Sequence, residues 1–488
     1  MPEVLPPSVA VVGGGITGLS AAHRLLELAR EQSRSLQVTL LEGSGRYGGL
    51  FGTERIRDYV IEHGADSFIT NKPSAINLCH RLGLGNDLIP TDDRYRRSLI
   101  LYRGQPVATP DGFNLLAPSQ WWPMLTSPLL SWAGKARVAA ELFIPRGKAD
   151  QDESLGEFVR RRFGQELLDK VVQPLVGGIY TSDPEKLSLR ATLPRFIEME
   201  QKYGSVIRGL RKQSSASQQT EGASGARYGL FASLANGMGQ LQDALAKRVR
   251  EHGTLRLGAR VNSIAPSNTL QPTWNLRLDN GELLSANAVI LALPAHGAAN
   301  LVEPHGANLA SELRGIEYAS SAIVVTGHDL SEISHPLEAF GLVVPHRERR
   351  RILAVSFLSR KFAGRAPAGK IILRTFIGGA MQPAEFDQSD EQIERSVLLE
   401  LKEILGVQGA PEFVRIARYA NSMPQFHVGH LARVARIEQL ASQIPRLELA
   451  GNAYHGVGLP DSVQSAEAAA QRVWESIFPA PEMGTGVA

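Results

Sequence analysis

The feature that most constrains this chain is a glycine-rich turn that joins an apolar strand to a helix near its beginning. Residues 9–12 are all apolar, the glycines follow with the spacing G-x-G-x-x-G, and a helical pattern starts directly after them. These glycines are Gly13, Gly15 and Gly18. The first permits a tight turn, the second lets a pyrophosphate approach the backbone, and the third lets the helix lie close to the strand. A second apolar run over 37–41 ends in Glu42, whose carboxylate can accept hydrogen bonds from both ribose hydroxyls. The sequence therefore predicts a bound dinucleotide, with its phosphates at the helix N-terminus.

A second glycine-rich stretch decides which dinucleotide is expected. Residues 42–52 contain Arg46 and the doublet Gly48-Gly49, just beyond the ribose-binding acid. An NAD-dependent dehydrogenase has no general need for such a loop, whereas here it would lie against the cofactor with Arg46 near the phosphates. The stretch resembles the flavin fingerprint of the superfamily that contains amine oxidases, carotene desaturases and porphyrinogen oxidases. FAD is therefore favoured over NAD.

Composition narrows the class of protein. With 488 residues, 43% hydrophobic and 21% charged, the chain is globular and long enough for two or three domains. A net charge of +3 without a long basic run gives no sign of nucleic-acid binding. The single cysteine, Cys79, excludes an internal disulfide, suits a reducing compartment and leaves no cysteine cage for a metal. No room for a signal peptide and no apolar stretch of ~18 residues is found, so we expect a cytoplasmic protein, at most peripheral on the inner face of the cytoplasmic membrane.

The cofactor domain is expected to be discontinuous. Residues 282–294 predict a hairpin strand that leads into a buried strand, and 447–452 predict a further core strand that ends in a glycine turn before a helix. Residues 110–210 show helical spacing, whereas 320–378 contain β-rich runs. The predicted α/β fold has an FAD-binding domain of Rossmann type at 8–75, 228–300 and 440–478, a sheet-bearing substrate domain at 76–109 and 301–439, a helical, possible membrane-facing domain at 110–210, a flexible loop at 212–226 and a disordered tail at 479–488.

Three long strings outside the cofactor motif carry a more specific resemblance. Residues 152–164, 173–188 and 451–463 resemble segments of the oxygen-dependent porphyrinogen oxidase family, and the similarity extends over nearly the whole chain. The resemblance implies an FAD enzyme of haem synthesis with a flavin domain, a substrate domain and a helical domain that lies on membranes. It also implies that oxygen accepts the electrons and that the product passes to a ferrochelatase.

The resemblance assigns cofactor contacts position by position. The first flavin-contacting stretch, the loop that passes the reactive ring, an adenine-side contact and the closing turn near the isoalloxazine all have counterparts. These residues are Gly13, Gly14, Gly15, Ile16, Thr17, Gly18, Glu42, Arg46, Gly49, Leu50, Gly64, Ala65, Asp66, Ser67, Val261, Asn452, Val457, Gly458 and Leu459. The closing turn has a physical reason of its own, since a glycine turn that opens a helix offers N–H dipoles that stabilise a reduced flavin.

On the substrate side the resemblance selects five residues. Arg97 matches an arginine that pairs with a propionate, and a guanidinium is suited to a carboxylate, although Arg96 is one position away. Phe376 matches a residue that stacks on a pyrrole ring, and Val343 matches an aliphatic wall opposite it. Gly178 matches a glycine that leaves room beside the ring. Asp66 stands where relatives carry asparagine or arginine, and a carboxylate there opposes a propionate-bearing substrate.

No catalytic acid, base or nucleophile is predicted. His63, His427, His430 and His455 lack a partner at a catalytic spacing, and neither a nucleophile elbow nor a zinc signature occurs. The expected reaction is hydride transfer to flavin, which needs positioning and desolvation rather than a strong base. Protoporphyrinogen IX is slightly favoured by the Arg96-Arg97 pair, and coproporphyrinogen III, with four propionates, is the alternative.

Two more distant alternatives stay open. A flavin amine oxidase or carotene desaturase would need an aromatic cage or a long apolar tunnel, and neither is visible in the sequence. A non-catalytic protein similar to the GDP-dissociation inhibitors would not need the intact glycines with Glu42. Finally, paired tryptophans and leucines in 120–132 suggest an interfacial segment for peripheral membrane contact, although a buried helix contact explains them equally well.

Overall fold

The structure, a computed structural model, describes residues 6–148, 150–217, 230–267 and 273–479. Strands and helices from distant parts of the chain combine into mixed α/β units. The predicted tail lies outside the described residues except for Pro479.

The described strands fall into two large sheets, two three-stranded sheets and two two-stranded hairpins. In chain order they are β1 (Ser8–Val12), β2 (Gln37–Leu41), β3 (Thr53–Ile56), β4 (Tyr59–Glu62), β5 (Phe68–Ile69), β6 (Leu88–Pro90), β7 (Ser98–Tyr102), β8 (Gln105–Ala108), β9 (Phe113–Asn114), β10 (Ala117–Pro118), β11 (Phe231–Leu234), β12 (Thr254–Arg256), β13 (Val261–Pro266), β14 (Trp274–Leu278), β15 (Leu283–Ala286), β16 (Ala288–Leu291), β17 (Tyr318–Asp329), β18 (Gly341–Val343), β19 (Ile352–Phe357), β20 (Lys370–Gly378), β21 (Phe413–Pro424) and β22 (Leu447–Leu449).

The described helices flank these sheets or form a unit of their own. In chain order they are α1 (Ile16–Glu31), α2 (Ser74–Arg81), α3 (Trp121–Thr126), α4 (Trp132–Ala139), α5 (Leu155–Phe163), α6 (Gln165–Leu167), α7 (Gln173–Tyr180), α8 (Leu189–Thr192), α9 (Pro194–Tyr203), α10 (Val206–Ser217), α11 (Gly239–His252), α12 (Ala295–Val302), α13 (Ala307–Arg314), α14 (Leu358–Lys361), α15 (Pro383–Phe386), α16 (Asp390–Leu405), α17 (His430–Ala441) and α18 (Leu459–Ile477).

The cofactor side of the molecule is built on a five-stranded parallel sheet. Its strand order is β12-β2-β1-β16-β22, so strands from the beginning, the middle and the end of the chain lie side by side. Helices α1, α11 and α18 pack on one face through a shared apolar core. The central strands are buried on both faces, which explains their unbroken apolar runs. This sheet confirms the predicted Rossmann-like frame; the exact domain boundaries stay predictions.

The second large sheet has seven strands in the order β21-β17-β20-β19-β18-β7-β8. One face is covered by α16, and its core contains Leu99, Leu342, Val355 and Leu373. Because side chains alternate along a strand, Ile100, Val343 and Phe376 point to the other face. That face looks toward the helical unit and the cofactor side.

The helical unit begins after β10 and holds a core around Phe158, Phe163 and Phe196. Arg162 is fully buried in it and donates to the carboxylates of Glu141 and Glu200. A buried arginine needs such partners, because an unpaired charge in a dry core is costly. The predicted loop at 212–226 does not begin at 212, since α10 continues to Ser217; from residue 218 onward it lies outside the described residues.

No helix among the described residues is long and apolar enough to cross a membrane. The segment predicted to lie in an interface forms the short helix α3. Trp121 is partly buried against the core of the helical unit, whereas Trp122 is 74% exposed.

Candidate active site

The first glycine turn has the geometry that a pyrophosphate site requires. Gly13 has φ +108°, and a Cβ on it would lie 2.4 Å from the carbonyl oxygen of Ala292. A Cβ on Gly18 would lie 1.8 Å from the carbonyl oxygen of Gly13, so helix α1 can pack here only with glycine. Gly15, at the N-cap of α1, is different, because its nearest protein neighbour would be Gly49 Cα at 3.9 Å. The space beside Gly15, at the free N–H end of the helix, is therefore open for phosphate.

The second glycine loop lies against the first. Gly48 donates its N–H to the carbonyl of Gly14 at 2.8 Å, and Gly15 and Gly48 form a parallel bridge. Arg46 closes this loop, since its guanidinium donates to the carbonyls of Gly49 at 2.6 Å and Phe51 at 2.9 Å. Arg46 therefore holds the loop in shape; a direct phosphate contact stays a prediction.

Glu42 lies where the ribose is expected. Its two carboxylate oxygens each accept a backbone N–H, one from Gly14 and one from Ser44, both at 2.7 Å. These bonds fix the carboxylate beside the glycine turn and leave further lone pairs for hydroxyl donors. Val261 begins β13 and lies at the edge of the neighbouring core, on the side expected for the adenine.

The closing turn joins β22 to α18, and its contacts with the flavin stay a prediction. Gly451 follows β22 with φ +151°, and Gly458 is the N-cap of α18. Val457 packs at the edge of the same core as Val343, which joins the cofactor side to the seven-stranded sheet. The first turn of α18, whose N-cap Gly458 directly follows Val457, thus begins beside this junction. Asn452 and Leu459 flank the turn.

The loop over residues 63–67 is fixed between the cofactor side and β20. A Cβ on Gly64 would lie 1.6 Å from the carbonyl oxygen of Leu50, so the loop rests directly on the second glycine loop. From β20, Arg374 donates to the carbonyls of Glu62, at 3.0 Å, and of Gly64. The loop therefore forms one wall between the two sheets.

Asp66, in this loop, is not free to face a substrate. Its carboxylate accepts from Lys361 Nζ at 3.0 Å and lies 3.0 Å from Arg374 Nη1, and Ser67 Oγ donates to it at 2.7 Å. Burial would raise the pKa of Asp66, but the two cations hold it well below its usual range. Asp66 therefore does not repel a propionate-bearing substrate, because Lys361 and Arg374 neutralise its charge.

Two of the predicted substrate residues, Val343 and Phe376, share one wall of the sheet. Phe376 on β20 is paired with Ala354 on β19, and Ala354 is paired with Val343 on β18. Residues directly opposite each other in a ladder project from the same face, so the three form an apolar row. Gly178 on α7 lies over the end of this row, and a Cβ on it would be 3.4 Å from Cγ1 of Val343. The structure thus brings together three residues that are far apart in sequence.

Tyr419 connects this wall to the cofactor side. In the ladder, Ile323 of β17 is paired with Phe376, and Ser321 of β17 is paired with Tyr419. Ser321 and Ile323 are two residues apart, so their side chains lie on one face of the sheet. Tyr419 therefore lies on the same face as Phe376. Burial raises the pKa of the Tyr419 hydroxyl, and the charges of Arg374 and Arg46 oppose that rise. Arg46, which closes the second glycine loop, is therefore near enough to Tyr419 for its charge to act on the hydroxyl.

Arg97 lies at the margin of the wall, just before β7. Its carbonyl accepts the N–H of Phe340 at 2.8 Å, which fixes the backbone. The Arg97 side chain is exposed, and no hydrogen bond or ion pair ties its guanidinium to another residue within the described ranges. Arg96, by contrast, lies 3.4 Å from Asp93. Arg97 is thus the arginine of the pair that is available to an incoming carboxylate.

The histidines have structural surroundings. His63 lies 2.9 Å from Glu54, His427 lies 3.6 Å from Glu317, and His455 lies 2.7 Å from Glu438. His430 stacks on Phe426 with a centroid distance of 3.9 Å. None of these contacts places an imidazole on the apolar row. The apolar wall and the cofactor turn suit hydride transfer between a bound substrate and a flavin, which needs no triad.

The fold and the site define a flavin-dependent oxidoreductase. The profile of the family described as flavin containing amine oxidoreductase matches residues 16–474. The coproporphyrinogen III oxidase of Bacillus subtilis is 34% identical, over 96% of this chain and 98% of the relative. Protoporphyrinogen oxidase 2 of Arabidopsis thaliana is 28% identical, over 95% of this chain and 93% of the relative. The solved structure of a proposed protoporphyrinogen oxidase from an Exiguobacterium species superimposes with a TM-score of 0.85 at 32% identity, covering 96% of this chain and 99% of that one.

The chain belongs to the flavin-containing amine oxidoreductase family, and within it to the porphyrinogen oxidases. FAD is its cofactor.

Four residues of the site were missed by sequence reasoning. They are Ala354, Lys361, Arg374 and Tyr419. Strand alternation could have found Arg374, because it stands two residues before Phe376 on the same strand. Lys361 carries no local signal, since it meets Asp66 only through the tertiary fold.

Proposed function

We propose that this protein oxidises a porphyrinogen to a porphyrin in haem synthesis, with oxygen as the electron acceptor. The observation that carries the proposal is the apolar row of Val343, Ala354 and Phe376, which has Gly178 at its end. The same face of β20 carries Arg374, which holds the loop that rests on the second glycine loop. A tetrapyrrole macrocycle needs such an apolar wall beside a flavin. An amine oxidase would need polar or aromatic cage residues in place of the aliphatic Val343 and Ala354.

FAD, when bound, would supply the hydride acceptor: in each of three steps a methylene bridge would lose a hydride and a pyrrole nitrogen a proton, and two electrons and two protons would reach oxygen, which gives three hydrogen peroxide molecules per porphyrin. The residues of this chain position the macrocycle. Phe376 offers a ring face to a pyrrole, and Val343 supports the aliphatic side. The apolar wall excludes water, and Arg97 binds a propionate at its margin.

Coproporphyrinogen III is our first candidate substrate, and protoporphyrinogen IX is the second. The relative named for coproporphyrinogen III is 34% identical, against 28% for the relative named for protoporphyrinogen. The two substrates differ in charge, because two propionates of the former are vinyl groups in the latter. Arg96 and Arg97 at one margin serve either substrate, so the choice depends on cations around the rest of the rim.

Anaerobic reduction of the bound flavin by each porphyrinogen tests the proposal. The flavin absorption band should bleach with either candidate, faster and at lower concentration with the true substrate. An oxidised flavin after mixing with both porphyrinogens would refute the proposal. Bleaching by a simple amine at a comparable rate would favour the amine oxidase alternative.

We also propose that a surface of the helical unit contacts a membrane. Trp122, Leu125, Trp132 and Phe143 are exposed, the two tryptophans by 74% each. Lys135 joins two of them, because its Nζ donates to the carbonyl of Leu125 and lies 4.5 Å from the ring of Trp132. Exposed tryptophans beside a lysine suit the headgroup region of an anionic bilayer. A porphyrin product formed at this surface would be delivered there to a ferrochelatase.

A further inference from the structure

Buried charge is unbalanced at the junction of the loop over residues 63–67 with β20. Three cations and two carboxylates meet there, and we refer to them as the Lys361 cluster. Its members are Glu62, Asp66, Lys361, Arg365 and Arg374. Both carboxylates and both arginines are less than a tenth exposed, and the side chain of Lys361 is 15% exposed. If both carboxylates are ionised, the cluster still carries one positive charge more than it balances.

Only one of the carboxylates forms ion pairs. Asp66 takes both Lys361 and Arg374, as described above. Glu62 instead accepts neutral donors, the N–H of Met238 at 2.7 Å and the hydroxyl of Thr53 at 2.8 Å. Burial raises the pKa of Glu62, and this works against its ionisation. Any protonation of Glu62 increases the positive excess.

Arg365 contributes a cation that contacts no carboxylate among the described residues. Its guanidinium donates to Ser233 Oγ at 2.7 Å and to the carbonyls of Leu234, at 2.8 Å, and Ala235, at 3.3 Å. These oxygens satisfy donors but supply no negative charge. An excess of buried positive charge is costly in a folded protein unless an anion offsets it.

The location of the Lys361 cluster indicates which anion this is. Arg374 holds the loop over residues 63–67, which rests on the second glycine loop through the contact of Gly64 with Leu50. Two residues along β20, Phe376 lies on the same face, and the Arg374 guanidinium is 5.4 Å from its ring centroid. The positive excess therefore lies between the cofactor turns and the apolar row.

We propose that the Lys361 cluster is a fixed electrostatic device that stabilises the negative charge of the reduced flavin and so raises the reduction potential of the cofactor. When a hydride, which is two electrons and one proton, leaves the substrate carbon for a neutral flavin, the ring gains one negative charge. Lys361 and Arg374 then act on the flavin through their positive charge. Asp66 holds the Lys361 ammonium in position and neutralises one of the two cations. The inference rests on the proposed function only for the source of the hydride.

Charge-changing variants of opposite sign test this without substrate. The reduction potential of the bound flavin is measured by anaerobic titration against a reference dye, in the FAD-loaded protein. Lys361→Met removes a cation, so the equilibrium for reduction should fall at least tenfold, which is about 30 mV for a two-electron couple. Asp66→Asn removes an anion, so the potential should rise. A purely structural loss would not give shifts of opposite sign.

A matched lysine serves as the control. Lys370, on the same strand as Arg374, also contacts two carboxylates, Asp329 at 3.0 Å and Glu412 at 2.6 Å, but it is more exposed than Lys361. Lys370→Met should leave the potential unchanged. Sulfite, whose adduct with the flavin ring is also anionic, gives a second readout, with at least tenfold weaker binding expected in Lys361→Met and tighter binding in Asp66→Asn.

Equal potentials in Lys361→Met and the parent protein, or shifts of the same sign in both variants, would overturn the inference. If Lys361→Met does not fold, Lys361→Gln takes its place with the same expected fall, and Lys361→Arg should keep the parental value. The proposed function is judged separately, since it fails only if neither porphyrinogen reduces the parent protein. If the parent protein oxidises porphyrinogen but both variants keep the parental flavin potential, this inference is wrong and the proposed function stands.

Discussion

Gly178 and Val343 meet across the candidate active site, where the missing side chain of one leaves room beside the other. A Cβ on residue 178 would lie 3.4 Å from Cγ1 of Val343, which is already a close contact. Helix α7, which carries Gly178, directly follows a π-helical turn at Leu168–Val172. Such turns often mark functional sites, and here the turn leads into the helix that borders the apolar row.

Widening residue 178 should therefore narrow the substrate space without disturbing the cofactor. Gly178→Val is expected to lower kcat/KM for the porphyrinogen at least tenfold, while the flavin content and Tm stay within error. In Gly178→Ala the fall in kcat/KM should be smaller. Combining Gly178→Ala with Val343→Ala should restore most of the lost kcat/KM, because Val343→Ala removes the methyl group that the new Cβ contacts. Parental kinetics in Gly178→Val would contradict the placement of the substrate.

The glycines of the first turn should separate folding from cofactor binding. Gly18→Ala puts a Cβ 1.8 Å from a backbone carbonyl, so we expect a lower Tm and loss of FAD. Gly15→Ala meets only Gly49 at 3.9 Å, so the apoprotein should keep its Tm while FAD affinity falls. Gly45→Ala is the control, because its Cβ would have no neighbour within 4 Å. Tight FAD binding by Gly15→Ala would show that the phosphates lie elsewhere.

The cofactor side was largely predictable because its signals are local. The glycine turn, Glu42 and the closing turn each stand next to the strand or helix that positions them, so spacing alone placed them. The parallel sheet could also be expected, since its buried strands are short apolar runs.

The substrate side was predictable only in part, because pairing between distant strands decides it. Phe376 and Val343 become neighbours through Ala354, and no local pattern indicates that register. The partners of Asp66 could not be predicted either, since Lys361 lies in helix α14, far away in the sequence. In the region of Trp121, two adjacent tryptophans have opposite surroundings, which composition cannot resolve.

Arg97 should act on substrate capture rather than on the chemical step. Its guanidinium lies at the margin of the wall, so Arg97→Ala is expected to raise KM about 10- to 100-fold, equivalent to a charged hydrogen bond of ~1.5–3 kcal/mol, with little change in kcat. Arg96→Ala should have a smaller effect, because Arg96 is engaged with Asp93. Steady-state kinetics with both porphyrinogens measure this. An unchanged KM in Arg97→Ala would argue against a propionate contact.

Acid should destabilise the fold through buried His430. It is 4% exposed, and burial lowers its pKa from 6.5 to about 4. The unfolded chain therefore takes up a proton below pH 6.5 that the folded chain refuses, so stability falls as the pH drops from 6.5 toward 4. At pH 5.5 the free energy of unfolding should be ~1.4 kcal/mol lower because of His430.

Urea unfolding at pH 7.5 and 5.5 checks this dependence. His430→Gln is expected to be less stable at pH 7.5, because the stacking on Phe426 is lost, but its further loss at pH 5.5 should be ~1.4 kcal/mol smaller than that of the parent. His252→Gln, a change at an exposed histidine at the end of α11, is the control and should keep the parental slope. Parallel slopes in the parent and His430→Gln would contradict the role of His430.

The exposed tryptophans of the helical unit should determine membrane binding. Trp122 and Trp132 are each 74% exposed, and Lys135 lies beside the second. Inserting an aromatic side chain into the interface contributes roughly 1.5–3 kcal/mol, so Trp122→Ser with Trp132→Ser should weaken binding to anionic vesicles about a hundredfold or more. Leu283→Ser, at a leucine that is 60% exposed on β15, controls for a general loss of surface hydrophobicity and should bind as the parent does. Because the tryptophans lie outside the active site, porphyrinogen oxidation in detergent should be unchanged in the double variant. Full vesicle binding by that variant, or equal weakening by Leu283→Ser, would show that this surface is not the membrane contact.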